Sequence, residues 1–276
     1  MSEHSAHPLR LIVTGASGRM GRMLVKAIAD HPDTLLVAAL DAPNSAFLGQ
    51  DAGLLAGIGA SGVIIGATFP DASVKADAMI DFTIPAATRL YASEAAKHHI
   101  AHIIGTTGLS ADDLAFIAEQ AYQTCIIRSG NMSLGVNLLA AMVQKVAAAL
   151  DPSFDIEIVE MHHRMKIDAP SGTAMRLGEV AAAALGRDLE TDAVHGREGV
   201  TGERTVREIG FHSARGGDIV GDHTVFFAGA GERLEITHRS SSRANYALGA
   251  LRAVRWLDGR VPGLYDMQDV LGLRGH

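Results

Sequence analysis

The 276-residue chain is poor in cysteine and aromatic residues, with one cysteine, one tryptophan and 5% aromatics in all. A single thiol, Cys125, forms no intrachain disulfide, which excludes a disulfide-stapled scaffold and agrees with a reducing compartment, taken here as the cytoplasm. No stretch of about 18 apolar residues occurs, since even Ala140–Leu150 is interrupted by Gln144 and Lys145, so no membrane span is expected. The opening MSEHSAHP lacks the basic cluster and apolar run of a secretory signal. Positive charge is scarce as well: 24 Lys and Arg stand against 31 Asp and Glu, a formal net charge of -7 that gives no general field for nucleic acid. What the chain does have is globular composition, 47% hydrophobic and 20% charged, and length for one large or two medium domains.

From Leu9 to about Arg128, short apolar runs alternate with helical patterns, and each run ends in a Gly, Asp or Thr cluster. The strands read as Leu9–Thr14, Leu35–Asp41, Ala78–Phe82, Ala101–Gly105 and Thr124–Arg128, apolar on both faces as a buried parallel sheet requires. Helices lie between them: Arg19–Ala29 stops ahead of Pro32, and Ser110 to Asp113 supplies an N-cap for Leu114–Tyr122. The segment Gly49–Gly66, with six glycines in 18 residues, reads as a loop with at most one short strand. After Asn131 the texture changes. Leu134–Leu150 is one long alanine-rich helix, and Phe154–His162, Val206–Phe211, Ile219–Phe227 and Arg233–His238 alternate with period two, as in a mixed or antiparallel sheet. Ala174–Leu185 and Ala244–Leu257 are helical again. The fold class expected is α/β: a Rossmann-type doubly wound parallel sheet over residues 1–132, a second α+β domain with a mixed sheet over 133–243, and a segment 244–276 that returns to the first domain.

Gly15, Gly18 and Gly21 follow the first strand and open the first helix with the spacing G-x-x-G-x-x-G. Such glycines give a tight turn and let backbone N–H groups approach a pyrophosphate at the helix N-terminus. Asp41 stands 20 residues beyond Gly21 at the end of the second strand, where a carboxylate accepts from ribose hydroxyls. The pairing points to a nicotinamide dinucleotide, with Ala16, Ser17, Arg19 and Met20 completing the loop. Gly105-Thr106-Thr107 and Ser129-Gly130-Asn131-Met132 lie at later strand ends, which face the same crevice in an open α/β sheet. Without the first motif they would read equally well as ordinary turn residues.

The segment Glu160-Met-His162-His163-Arg-Met-Lys166-Ile-Asp168-Ala-Pro-Ser171-Gly172-Thr173 concentrates histidine, arginine and lysine in an acidic chain. Histidine titrates near neutrality, lysine gives a mobile charge, and Pro-Ser-Gly-Thr before a helix offers N–H groups to an anion, so together they describe a carboxylate-binding, proton-donating site. Each residue alone is as readily structural. A metal site on Glu160, His162 and His163 is disfavoured because adjacent strand residues point to opposite faces, and no metal is expected. His98 and His102 have i,i+4 spacing but fall on different elements, and Ser171 is not in a G-x-S-x-G elbow.

The chain resembles the 4-hydroxy-tetrahydrodipicolinate reductases, also called dihydrodipicolinate reductases, of bacterial lysine and diaminopimelate synthesis. The likeness rests on GASGRMGR at 15–22, DFT at 81–83, GTTG at 105–108, GVN at 135–137 and EMHHRMKIDAPSGTA at 160–174. It continues through REGVTGER at 197–204, GFHSARGGDIVGDHTV at 210–225 and GERLEITHRSSSR at 231–243. The resemblance implies a Rossmann domain formed by both chain ends and an inserted substrate domain whose sheets build a homotetramer. It implies that NADH or NADPH lies on Gly15, Ala16, Ser17, Gly18, Arg19, Met20, Asp41, Gly105, Thr106, Thr107, Ser129, Gly130, Asn131 and Met132. A dicarboxylate substrate is implied on His163, Lys166, Gly172 and Thr173, with His162 as proton donor or acceptor and Lys166 as second proton donor. Loss of the 4-hydroxyl as water would leave a conjugated imine that takes hydride at C4 and a proton on the ring.

Two positions depart from the family pattern. Ala42 stands where NADPH users often carry an arginine, which leans the chain toward NADH, although Arg19 can still reach a 2′-phosphate. Met132 replaces a commoner aromatic residue. Two other classes stay open on sequence alone: another amino-acid or hydroxy-acid dehydrogenase, which would not need the HHRMK-DAPSGT cluster, and a dinucleotide sensor without turnover.

Overall fold

In a computed structural model of the chain, residues 7–71 and 73–274 are described. The strands in chain order are β1 (Leu9–Thr14), β2 (Thr34–Leu40), β3 (Ile65–Gly66), β4 (Ala78–Asp81), β5 (Ala101–Ile104), β6 (Cys125–Arg128), β7 (Asp155–His162), β8 (Ala193–His195), β9 (Ile209–Arg215), β10 (Gly221–Gly229), β11 (Glu232–Ser240) and β12 (Gly263–Tyr265). The helices are α1 (Arg19–Ala29), α2 (Ala52–Ala56), α3 (Pro85–His98), α4 (Ala111–Gln120), α5 (Leu134–Ala149), α6 (Gly172–Leu185), α7 (Leu189–Asp192), α8 (Ala244–Trp256) and α9 (Met267–Val270). They fall into two compact units, the first ending at Ser133 and resuming at Ala244, the second spanning Leu134–Arg243. No helix among the described residues is long and apolar enough to cross a membrane.

The first unit is a seven-stranded sheet in the order β3-β2-β1-β4-β5-β6-β12, parallel at every pairing. Parallel neighbours need helical crossovers, which cover both faces, and this is why Leu11–Val13 and Met79–Ile80 are apolar without alternation and fully buried. α1 buries Gly21, Leu24, Val25 and Ile28, a stripe at helical spacing. α3 starts on Pro85, whose missing N–H costs nothing at a helix start, and closes through His99 in the left-handed region. α4 is opened by a reciprocal capping box between Ser110 and Asp113. The returning helix α8 packs on α1 and β5 through Ala247, Ala250, Leu251 and Val254.

Gly49–Gly66 contains the expected short strand, β3, and also a helical turn, α2, that glycine content concealed. Asp51 caps it. One carboxylate accepts from the N–H groups of Gly53, Leu54, Ser61 and Gly62 and from the Ser61 hydroxyl, and those bonds hold its pKa below the ordinary carboxylate range.

The second unit is a mixed sheet in the order β11-β10-β7-β9-β8. β10 runs antiparallel to β11 and β7, while β7, β9 and β8 are parallel. The alternation of β7 turns Ile156, Ile158, Glu160 and His162 inward. Ile156 and Ile158 join Leu139, Val143, Leu177, Ala181, Phe211, Val225 and Phe227 in a core built by the sheet with α5 and α6. Gly178 permits that approach, because a Cβ there would lie 2.3 Å from the ring of Phe211.

The third strand of this unit runs Ile209–Arg215 instead of Val206–Phe211. The Thr205 N–H donates to the Glu208 carboxylate at 3.0 Å, and Arg204 grips the Glu208 carbonyl, Glu157 and Asp155, so the apolar Val206 sits on an exposed turn ahead of the strand. The corrected register sets Arg215 beside His162, and β10 sets His223 beside Glu160.

Candidate active site

The glycine segment of the first unit is a flat turn. Gly15 takes φ +63, in the left-handed region, and a Cβ on Gly21 would lie 2.1 Å from the Gly15 carbonyl oxygen. None of the described side chains caps α1 at Gly18, and its first turn carries no acidic residue. Its opening N–H groups and positive dipole end therefore suit a phosphate anion. The Asp41 carboxylate accepts from Ser17 N–H at 2.9 Å and Ala42 N–H at 2.8 Å, tying the loop to the end of β2. Arg22 holds the Ser17 carbonyl at 2.7 Å, whereas Arg19 and Ala42 are exposed. Missing Cβ atoms at Gly15 and Gly21 and a helix start without a capping side chain fit a dinucleotide pyrophosphate.

The later strand ends lie on the same edge of the sheet, but not all their groups face outward. The Thr106 hydroxyl accepts from Thr83 N–H at 3.0 Å and shares a 2.8 Å bond with the Thr88 hydroxyl, so it is engaged inside the protein, while Thr107 is exposed. Gly105 is required by the Phe82 ring, which a Cβ would meet at 2.3 Å. Ser129 bonds the Asn131 carbonyl at 2.7 Å, and the Asn131 amide oxygen accepts from Ser133 N–H, shaping the turn. The Met132 side chain is fully buried, with its carbonyl against Gly249, and Ala16 is buried too. The Met132 thioether therefore packs in the core.

Beneath this edge Asp81 is completely buried and serves as a hub that sequence reading missed as a structural feature. It accepts from Thr14 at 3.1 Å, from the Thr83 N–H at 3.0 Å and hydroxyl at 2.6 Å, and meets His102 Nε2 at 3.3 Å. Burial pushes its pKa up, yet the His102 and threonine bonds prevail and hold it low.

In the second unit the histidine segment begins inside the sheet. His162 Nδ1 lies 2.5 Å from the Glu160 carboxylate, which Arg215 clamps with two 2.8 Å bonds and the Ser171 N–H meets at 3.3 Å. Glu160 is 1% exposed, and its oxygens are filled by donors, an arrangement that holds an anion in place instead of coordinating a cation. Burial favours the neutral carboxyl, but Arg215, Ser213 and His162 outweigh it and hold Glu160 low. Burial also pushes His162 below the usual histidine value, against the pull of Glu160 and together with the charges of Lys166 and Arg215. The His223 ring stands edge-on to His162 with centroids 5.0 Å apart, and burial pushes its pKa down to about 3.

The neighbouring residues leave the strand. His163 Nε2 accepts from Arg243 at 3.1 Å, since a guanidinium can only donate. Lys166 is paired with both oxygens of Asp168, at 2.7 and 2.8 Å. Ser171 caps α6 by accepting from Ala174 N–H, and its hydroxyl also meets His223 Nε2 at 3.0 Å. Exposed Gly172 and partly exposed Thr173 form the first turn, which has no acidic residue. His162, His163, Lys166, Gly172 and Thr173 therefore belong to one strand end, loop and helix start. Arg215, Arg243 and His223 escaped the sequence reading. The alternation of β9 and β10 marks strands there, but no local signal tells which inward polar residue meets Glu160.

Comparison with known proteins agrees with this architecture. The model for the N-terminus of dihydrodipicolinate reductase matches residues 9–132 and that for its C-terminus matches residues 135–271. The chain is 56% identical over 265 residues to the 4-hydroxy-tetrahydrodipicolinate reductase of Rhodopseudomonas palustris (strain TIE-1), covering 96% of this chain and 98% of that protein. It is 54% identical, with the same coverage, to the reductase of that name from Bradyrhizobium diazoefficiens. Among solved structures, the fold is similar to a dipicolinate-bound dihydrodipicolinate reductase from Paenisporosarcina sp. TG-14, with TM-score 0.74, 23% identity and coverage of 95% of this chain and 98% of that one. It is also similar in fold, at 13% identity and TM-score 0.61, to an amine dehydrogenase from Mycobacterium smegmatis, covering 99% of each chain. With both halves matched and identity above one half over nearly all its length, the chain belongs to the dihydrodipicolinate reductase family.

Proposed function

We propose that this chain reduces 4-hydroxy-tetrahydrodipicolinate to tetrahydrodipicolinate with loss of water, in diaminopimelate and lysine synthesis. The observation that carries this reading is the buried His162–Glu160 pair on the strand that leads into Lys166 and the Gly172-Thr173 helix start, within a chain of this family. A reductase of another amino or hydroxy acid would have no need of that cluster.

The Gly172 and Thr173 end of α6, with His163 and Lys166, holds the dicarboxylate, the anion taking Lys166 from its pairing with Asp168. His162 exchanges a proton through Nε2, the ring nitrogen that Glu160 leaves to a ligand, and Lys166 donates a second one. Between them they take the proton that the ring carbon beside C4 gives up as the 4-hydroxyl leaves, protonated, as water, and they return one proton to the ring once hydride has reached C4. Bound at the glycine loop, the reduced nicotinamide supplies the hydride. Gly15, Ser17, Gly18, Arg19 and Met20 cradle its phosphates, Asp41 takes the ribose, and Gly105, Thr107, Ser129, Gly130 and the Asn131 backbone border the ring.

NADH is the preferred donor: Ala42 offers a 2′-phosphate no charge beside the Asp41 carboxylate, and Arg19 preserves some NADPH use. We assign the protein to the cytoplasm and, from the family resemblance, to a homotetramer, checked by light scattering for the mass of four chains. The decisive assay follows nicotinamide absorbance when the enzyme meets freshly condensed pyruvate and aspartate semialdehyde. Rapid oxidation with kcat/KM higher for NADH is expected. No oxidation despite demonstrated cofactor binding would refute the activity, and a clear NADPH preference would refute the cofactor assignment.

A further inference from the structure

Glu160 exchanges no proton with substrate in the chemistry described so far, yet it is more deeply buried than His162. Its Oε2 faces His162 Nδ1 at 2.5 Å and Arg215 Nη1 at 2.8 Å, and its Oε1 faces Arg215 Nη2 at 2.8 Å and the Ser171 N–H at 3.3 Å. Arg215 is itself fixed, donating to the carbonyls of Ala214 and Asp168 at 2.7 and 2.6 Å. On the other side of the ring, a Cβ at Gly221 would come within 2.8 Å of His162 Nε2, so glycine keeps that nitrogen clear.

We propose that Glu160, locked by Arg215, is a positioning residue that fixes the tautomer and orientation of His162 so that Nε2 is the nitrogen presented to the substrate. The inference rests on the reading of His162 as the proton-exchanging residue. A carboxylate can only accept, so the His162 proton must sit on Nδ1 when the ring is neutral, leaving an unprotonated Nε2. When Nε2 gains a proton, the same carboxylate stabilises the imidazolium. Arg215 sets the balance by keeping Glu160 ionised while its own charge opposes that of the ring. The groups facing His162 are Glu160 on its own strand, Arg215 from β9, His223 from β10 and Lys166 from the loop after β7. His223, whose pKa is near 3, brings no charge near neutral pH.

A glutamine at position 160 cannot reproduce this. Its carbonyl can accept from His162 with the amide N–H₂ turned against Arg215, or it can accept from Arg215 with the amide donating to Nδ1, which moves the histidine proton to Nε2.

The test is Glu160→Gln beside Glu160→Asp, His162→Gln and the Glu160→Gln/His162→Gln pair. Each is measured for kcat, KM and the pH dependence of kcat/KM, with cofactor Kd and circular dichroism as controls of folding. Glu160→Gln should lower kcat about 10²-fold, the scale of a general acid–base step, with KM and cofactor Kd little changed. The His162 limb should move to lower pH, because the carboxylate that favours the charged ring is gone. Glu160→Asp should recover part of the rate, and the double variant should be no slower than His162→Gln.

Wild-type kcat and pH profile in Glu160→Gln, or a double variant slowed by the product of the single losses, overturns the positioning role and leaves the His162 reading standing. Full activity of His162→Gln overturns that reading and this inference with it. A measurement that needs no stable Glu160 variant is ¹⁵N NMR of histidine-labelled wild-type protein, with His162 assigned by its loss in His162→Gln. The neutral ring should be protonated at Nδ1, and an Nε2–H tautomer would overturn the proposal.

Discussion

Gly172→Ala separates what α6 does for the fold from what it does for a ligand. Gly172 is the first residue of that helix, exposed, with no positive φ, and a Cβ built on it meets nothing within 4 Å. Alanine is therefore accommodated without movement, and loss of glycine freedom in the unfolded chain should stabilise the protein by about 0.4–1 kcal/mol. For a chain of this size that is a rise in Tm of roughly 1–2 °C. The same methyl group, however, stands where a substrate carboxylate would approach the N–H groups of the first turn. Losing one hydrogen bond to a charged group costs about 1.5–3 kcal/mol, so KM should rise roughly 10- to 10²-fold. Because the lost contact binds ground and transition state alike, kcat at saturation should change little. Steady-state kinetics with varied dicarboxylate and a differential scanning fluorimetry melt measure both. An unchanged KM with the higher Tm would show that the carboxylate does not sit at this helix end, and a lower Tm would refute the steric argument itself.

Gly21→Ala should act on the other site. Its Cβ would sit 2.1 Å from the Gly15 carbonyl and 2.6 Å from Ala16 Cα, both backbone, so the loop must shift. We expect a loss of about 1–3 kcal/mol from overpacking, offset by about 1 kcal/mol of helix propensity. Kd for both dinucleotides, read by fluorescence titration, should weaken at least about tenfold as a phosphate contact is lost, and an unchanged Kd would remove the phosphate role from this turn. Ala42→Arg, at an exposed position, should raise kcat/KM for NADPH about tenfold or more through a charge-assisted contact with the 2′-phosphate, leaving NADH nearly unaffected. No gain with NADPH would place the adenosine ribose elsewhere. Burial acts to raise Glu157, but its bonds to Arg197, Arg204 and His212 prevail and hold it down at about 2, from an ordinary 4.5. Its depressed pKa gives stability that is complete above pH 4.5 and lost as pH falls toward 2, with a slope of at most about 1.4 kcal/mol per pH unit. Urea titrations over that range should show the loss in wild-type protein and a flatter dependence in Glu157→Gln, and parallel curves would refute the linkage.

The features legible in sequence were those whose cause is local. The Leu9–Thr14 strand, the glycine turn and the Arg19 helix follow from apolar continuity, absent side chains and spacing within about twenty residues. What escaped depends on partners distant in the chain. Asp51 organises its helical turn by reaching Ser61 and Gly62, so a glycine-rich stretch looked structureless. The β9 boundary depends on Arg204 meeting Glu157, 47 residues away. The bonds that the Thr106 hydroxyl accepts from the Thr83 N–H and the Thr88 hydroxyl were equally out of reach of local spacing. The Glu160–Arg215 clamp spans 55 residues and follows from a parallel register between two strands separated in the chain by two helices, a short strand and a long loop. Sequence showed Glu160 only as an acid near two histidines; the guanidinium that grips it lies beyond any local pattern.

The same logic explains which helix ends are available for anions. α4 opens with a capping box in which Asp113 and Ser110 satisfy each other's backbone, and its first turn carries Asp112 and Asp113, so its positive end is already neutralised. α1 opens on Gly18 with neither a capping side chain nor an acidic residue, and α6 has a serine cap that takes the Ala174 N–H and no acid in its first turn. α3 likewise starts with neither a capping side chain nor a first-turn acid, so an open helix end does not by itself mark an anion site; α1 and α6 differ in beginning beside Asp41 and beside the His162–Lys166 segment. A diphosphate and a dicarboxylate each carry about two negative charges or more, and under the proposed assignment α1 would meet the first and α6 the second.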